Sequence, residues 1–172
     1  MAERRIWFDR QFELGLPAEA YPDVLERVRG SPARIEERVE DLLEDALTLR
    51  LGGAWSIQEN VGHLLDLEPL WAGRLDDLLD GAEKLRAADL ENRRTHEAGY
   101  NHRPISALLT EFRVARKATV RRLDALSNAD LQMVSLHPRL ELPMSVVDLF
   151  FFVAEHDDHH LARISEILRK GS

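Results

Sequence analysis

Proline and glycine divide this chain into a few long segments, and within those segments the apolar residues recur at helical spacing, with no sustained strand-like alternation. That pattern restricts the chain to an all-α class. Ser31-Pro32 predicts an N-cap with proline at the first helical position. Ile35, Val39, Leu42, Leu43, Ala46 and Leu49 then repeat at helical spacing until Gly52-Gly53 ends the segment. Ser56-Ile57-Gln58-Glu59 is a capping box, in which serine and glutamate each satisfy a backbone donor of the new first turn. The helix it opens is expected to run to about Asp80, with a kink or broken turn at Pro69. Pro104 opens a third helix. Leu108, Phe112, Ala115, Leu123 and Leu126 lie on one side of it, and Arg113, Arg116, Arg121 and Arg122 are read as a solvated face. A second capping box, Ser145-Val146-Val147-Asp148, starts the last helix, which carries Phe150, Val153, Leu161, Ile164 and Leu168 and ends near Lys170.

The connections complete the plan. Residues 81–103 are polar and read as a long crossover, and Ser127 to Pro143 as an irregular link. The first 30 residues hold Trp7, Phe8 and Phe12, then a short helix-like piece from Tyr21 to Arg29 ended by Gly30. They are expected to form an arm packed on the bundle. The expected architecture is an all-α four-helix bundle with a long crossover, one domain over residues 1–172.

Composition narrows the function classes. With 31 acidic against 23 basic residues and a formal charge of -8, broad attraction to nucleic acid or anionic membranes is disfavoured. No cysteine is present, so a metal would be held by nitrogen and oxygen ligands, and no thiol of the chain can act as nucleophile. The charged N-terminus is no secretory h-region and no apolar run approaches a membrane span, which leads to a cytoplasmic expectation.

His156 and His160, four residues apart, fall about 40° apart on a helix, on the side of Leu149, Phe152, Val153 and Ile167. Both rings should point inward. The same count puts His63 at the edge of a stripe made by Leu64, Leu67, Trp71 and Leu78. Buried imidazoles need partners, and a shared divalent ion is one; bonds to backbone or carboxylate groups at a helix interface are the other.

The stretch Trp55-Ser56-x-x-Glu59-x-x-x-His63-Leu64, with His156-Asp157-Asp158-His159-His160-Leu161-x-x-Ile164 downstream, resembles the DinB/YfiT-like superfamily of metal-binding four-helix bundles over nearly the whole chain. The resemblance implies that His63, His156 and His160 hold one divalent ion, nickel, zinc or iron, with water completing the shell. An open position of that kind suits chemistry on a small-molecule substrate. It is compatible with hydrolysis by activated water or with transfer of a low-molecular-weight thiol, the latter favoured by the family's bacillithiol- and mycothiol-dependent branches. A non-catalytic, stress-associated metal binder is the reading from a different class. An accessible cavity would speak for chemistry, and a fourth protein ligand or a sealed shell for a structural ion.

Other residues carry weaker expectations. Asp157 either orients a ligand histidine or receives a bond from another helix, and Arg163 either reaches an anionic substrate or pairs with a neighbouring acid. The family commonly has glutamine at the position of Arg163, so no substrate contact is carried over there. Asn92, His96 and Asn101 of the crossover either overhang the mouth of the site or are simply loop polarity, and His159 points about 100° from His160. Glu59 is explained by its capping box and Glu68 by the kink or the surface; His102 and His137 receive no role. Trp7, Phe8 and Trp71 are read as core or dimer contacts, and a homodimer is expected.

Overall fold

The computed structural model describes residues 4–171 of the chain. Four long helices form the bundle: α1 (Tyr21–Val39), α3 (Ile57–Leu79), α5 (Ile105–Asp124) and α7 (Val146–Gly171). Short helices α2 (Glu44–Thr48), α4 (Arg93–Glu97) and α6 (Asn128–Leu131) sit in the connections, with a two-stranded antiparallel sheet of β1 (Val134–Leu136) and β2 (Pro143–Ser145). Around the bundle each long helix packs on two others, α3 and α1 both touching α5 and α7. The core is two apolar clusters, one around Val28, Trp71, Leu75 and Phe150 and the other around Ile35, Leu64, Phe112 and Ile164. No helix among the described residues is long and apolar enough to cross a membrane.

Both capping boxes form. Glu59 N donates to Ser56 Oγ at 3.1 Å and Ser56 N to Glu59 Oε2 at 2.9 Å. At α7, Asp148 N donates to Ser145 Oγ at 3.1 Å and Ser145 N to Asp148 Oδ2 at 3.0 Å. The other oxygen of Asp148 accepts from Gly15 N and Leu16 N, each at 2.9 Å, so one carboxylate both starts α7 and pins the N-terminal arm. From Arg10 to Pro17 that arm has no regular secondary structure, and alternate residues, Phe12, Leu14 and Leu16, pack on the core. Its strand-like period is hard to see in the sequence because it covers only a few residues.

The expected boundary at Gly30 is not there. Residues Tyr21 to Arg29 do not belong to the arm: α1 runs unbroken through Gly30, Ser31 and Pro32 to Val39, and the segment ending at Leu49 is a separate short helix, α2. Proline at 32 removes the N–H that would bond the Val28 carbonyl, which ordinarily breaks a helix. Here Arg116 Nη1 donates to that carbonyl at 3.0 Å, and Ser31 Oγ donates to Arg27 O at 3.1 Å. A side chain from α5 thus replaces the lost bond. Likewise α3 continues through Pro69 with no broken turn.

Arg116 also corrects the reading of the third helix as a solvated arginine face. It is 1 % exposed and stacks over Phe112, 4.9 Å from the ring centroid. Its guanidinium pairs with Glu68 Oε1 of α3 at 2.6 Å and with Asp157 Oδ2 of α7 at 2.5 Å. Glu68, which also accepts from Thr119 Oγ1 at 3.1 Å, is therefore neither a kink nor a surface residue. With the Val28 contact, this one side chain ties all four long helices together.

The crossover is more ordered than its polarity predicts. Leu85 N donates to Leu136 O at 3.0 Å and Leu136 N to Glu83 O at 2.9 Å, so the segment is stitched to β1. The link after α5 holds α6, opened by a Ser127-Asp130 capping box, and the hairpin. Strands of three residues are too short for a period to be read from sequence.

Candidate metal centre

The Ser56 capping box fixes the start of α3 and thereby places His63 two turns along it, facing α7; His156 and His160 share the inward face of α7. The three rings are buried and converge. One nitrogen from each lies within 4.8 Å of the others, and they are the one such potential metal-holding group among the described residues. His156 Nε2 and His160 Nε2 are 3.2 Å apart. Two imidazole nitrogens on one ion, each bonded at about 2.0–2.1 Å in a tetrahedral shell, would be separated by roughly that distance. The ring of His63 lies 5.3 Å from that of His156 and 4.8 Å from that of His160, centroid to centroid.

What holds the rings also decides which nitrogen faces inward. Asn60, one turn before His63 on α3, donates its amide to Ser56 O at 2.7 Å and to Trp55 O at 3.3 Å. Its oxygen is therefore left toward His160 Nδ1, 2.8 Å away, which donates to it and leaves Nε2 with a lone pair. For His63 the partner is Thr95 of α4. The Thr95 hydroxyl donates to Asp66 Oδ2 at 2.9 Å, so at 3.1 Å it accepts from His63 Nδ1. Asp66 is held in turn by the Tyr100 hydroxyl at 2.6 Å and Arg94 Nε at 2.7 Å. Partners of this kind orient metal-ligating imidazoles and raise their basicity. His156 lacks one: its Nδ1 is buried with no hydrogen-bond partner among the described residues.

Burial keeps all three rings neutral. It pushes His63 down to about 4, helped by the charges of His159 and His96. Burial first, and then the neighbouring histidines, drive His156 and His160 well below the ordinary imidazole value. Neutral imidazoles are Lewis bases, the form a divalent cation needs, and His63 and His160, with their Nδ1 bonded, present Nε2 lone pairs inward. Three indoles pack against the cluster: Trp55 lies 4.7 Å from the His63 ring, and Trp7 and Trp71 meet His156 edge-on at 4.9 and 5.8 Å.

The histidines open on a cavity of about 580 Å³ lined also by Trp7, Trp55, Asn60 and Trp71, and no fourth protein ligand completes the group among the described residues. Of the supporting residues read from sequence, His96, Arg163 and Asn92 line it, as does His159. Arg163 is already paired with Glu166 at 2.9 Å, and Arg4 contacts His159 at 2.8 Å. Asp157 and Asn101 do not reach the cavity. Asp157 projects about 100° around α7 from His156 and about 60° from His160, and its carboxylate is taken by Arg116, so it orients no ligand ring; Asn101 accepts from Ser56 Oγ at 2.6 Å, steadying the start of α3. Sequence reasoning did not find Asn60, Thr95 or Asp66. Asn60 could have been found from its place one turn before His63 on the same face, but Thr95 reaches His63 only through the path of the crossover.

The structure is similar to that of YfiT from Bacillus subtilis, with 18% sequence identity, a TM-score of 0.82 and coverage of 94% of this chain and 93% of that one. That protein is described as a probable metal-dependent hydrolase with an unusual four-helix bundle topology. Comparison with curated proteins finds no match. The family model of the DinB superfamily matches residues 27–164, which span α3, α5, most of α1, most of α7 and all three histidines of the cluster; the chain belongs to the DinB superfamily.

Proposed function

We propose that the protein is a divalent-metal-dependent enzyme acting on a small molecule, with His63, His156 and His160 as the ligands. The observation that carries this reading is the convergence of three neutral, buried imidazoles, within 4.8 Å of one another, on the wall of an open cavity. The partners of His63 and His160 engage only Nδ1, and the Nε2 atoms of His156 and His160 come together at 3.2 Å, a spacing that suits two ligands of one ion. When bound, such an ion supplies Lewis acidity, which lowers the pKa of a coordinated water or thiol and polarises the group under attack.

The chain's own residues do the rest. Asn60 and Thr95 hold two of the rings with Nε2 inward, Trp55 and Trp7 shield them, and the cavity leaves room for a substrate beside them. Hydrolysis is supported by this open arrangement and by the description of YfiT as a probable metal-dependent hydrolase. Transfer of a low-molecular-weight thiol is the second reading. It draws on the thiol-dependent branches of the superfamily to which the chain belongs. Nickel, zinc and iron all suit three imidazoles.

Metal analysis of protein purified without a histidine tag tests the reading. Wild type should carry stoichiometric metal and His160→Ala should lose it; equal metal in both would overturn the assignment. Screening the loaded enzyme on ester and amide substrates with and without an added small thiol then separates the two chemistries.

A further inference from the structure

Most arginines of this acidic chain are matched to carboxylates, but two that line the cavity are not. Arg4 and Arg163, also in the lining, both pair with Glu166. Arg74 and Arg139 have no ion-pair partner among the described residues: Arg74 donates Nε to the Arg86 carbonyl at 3.1 Å and contacts His137 Nε2 at 3.1 Å through Nη1. It is 2 % exposed. Asp77 lies near enough for its charge to act on Arg74, but it is bonded to Arg86 and forms no ion pair with Arg74; a guanidinium so deeply removed from water with no direct ion pair is costly unless another group shares its charge. Arg139 stacks over Phe8, 5.2 Å from the ring centroid, and its Nη2 is buried with no hydrogen-bond partner among the described residues.

The two guanidiniums flank His137, whose Nδ1 accepts from Leu140 N at 3.1 Å within the hairpin connection. Burial and then the charges of Arg74 and Arg139 hold that ring down to about 3, so it adds no further positive charge. The site is also close to the histidine cluster. Trp71 touches both, its ring 5.8 Å from the His156 ring and 5.5 Å from the Arg74 guanidinium carbon. Phe152 lies 5.3 Å from the His137 ring and 6.3 Å from Trp71, and Leu67 and Leu70 also line the cavity, so its wall is largely apolar here.

We propose that Arg74 and Arg139 form an anion subsite that receives the carboxylate of a small organic acid whose apolar body lies along Trp71 toward the three histidines. This rests on the reading of the cavity as a substrate site and names the substrate class. Guanidinium groups bind carboxylates through paired, charge-assisted hydrogen bonds, and the unused Arg139 Nη2 supplies a donor for one of them. The role that Arg163 was a candidate for thus falls to two arginines that have no carboxylate of their own.

The test is an NMR titration of 4-phenylbutyrate and of 4-phenylbutyramide, which differ in the charged group, into wild type, Arg139→Gln, Arg74→Gln and His160→Ala. Wild type should bind the carboxylate roughly tenfold or more tightly than the amide, the worth of one charge-assisted contact. Arg139→Gln should erase most of that preference and leave amide binding unchanged. Because Arg139 is only half-buried, this variant remains informative even if Arg74→Gln fails to fold. His160→Ala should keep the preference while losing metal. Equal binding of the two probes, no binding of the carboxylate, or an unchanged preference in Arg139→Gln overturns the subsite. A preference lost in His160→Ala and kept in Arg139→Gln assigns the carboxylate to the metal, which sinks the subsite and supports the metal reading. Metal retained in His160→Ala with the arginine effect intact sinks the metal reading alone.

Discussion

Asn60 and Thr95 determine what His160 and His63 can do, because each takes the Nδ1 proton and leaves Nε2 free. Replacing either with a side chain of similar shape and no acceptor, Asn60→Leu or Thr95→Val, should weaken metal affinity about 10–100-fold. Competition with a chelator of known affinity measures it, and unchanged affinity in both would show that the rings need no orientation. Gly62 acts one step further out. A methyl added there would lie 2.3 Å from Tyr100 Cδ2, so the Tyr100 ring, whose hydroxyl holds Asp66, packs directly on the α3 backbone. Gly62→Ala should therefore cost about 1–3 kcal/mol in denaturant unfolding and weaken metal binding with it. From the sequence, the ligand histidines were visible through spacing and resemblance. Thr95 was not, since nothing in a polar loop marks which of its hydroxyls returns to the bundle.

Among the elements, α1 survives its internal proline because α5 supplies Arg116 to the Val28 carbonyl. That same side chain neutralises Glu68 and Asp157, both buried. Burial raises Glu68 while Arg116 counters it, and the two opposing influences make the trio sensitive to loss of the cation. Arg116→Met should leave two carboxylates stranded and destabilise the protein by about 3–5 kcal/mol. Unfolding in urea measures this, with Arg121→Met on the exposed side of the same helix as a control expected to change little. Loss of stability no greater than in the control would mean that the buried network contributes little. Local signals could not place this contact. A proline with serine before it reads as a helix start, and only a partner distant in sequence turns the same residues into a helix interior.

For the molecule as a whole, pH acts chiefly through the histidines. His63 and His159 titrate at about 4 and His137 at about 3 in the folded protein, all from an unfolded value near 6.5, and His156 and His160 shift the same way. Between those values the unfolded chain binds more protons, so stability is fully present above pH 6.5 and declines as pH falls toward 4. Each fully buried ring contributes about 1.4 kcal/mol per pH unit in that window. The melting temperature of metal-free protein should therefore drop steeply below pH 6.5; a flat profile would contradict neutral, buried rings. Bound metal should raise the melting temperature at neutral pH and a chelator should reverse the gain, since binding only to the native state stabilises by mass action. The helices and both capping boxes were legible in the chain because capping and apolar periodicity are local, each residue's role being set by neighbours within a turn or two. The histidine triad was legible because it projects from two such helices. The continuity of α1, the threonine and asparagine that select the tautomers, and the two arginines without acids were decided only in three dimensions. Each depends on a hydrogen bond or an uncompensated charge between residues far apart in sequence, and side-chain spacing along a helix carries no information about those.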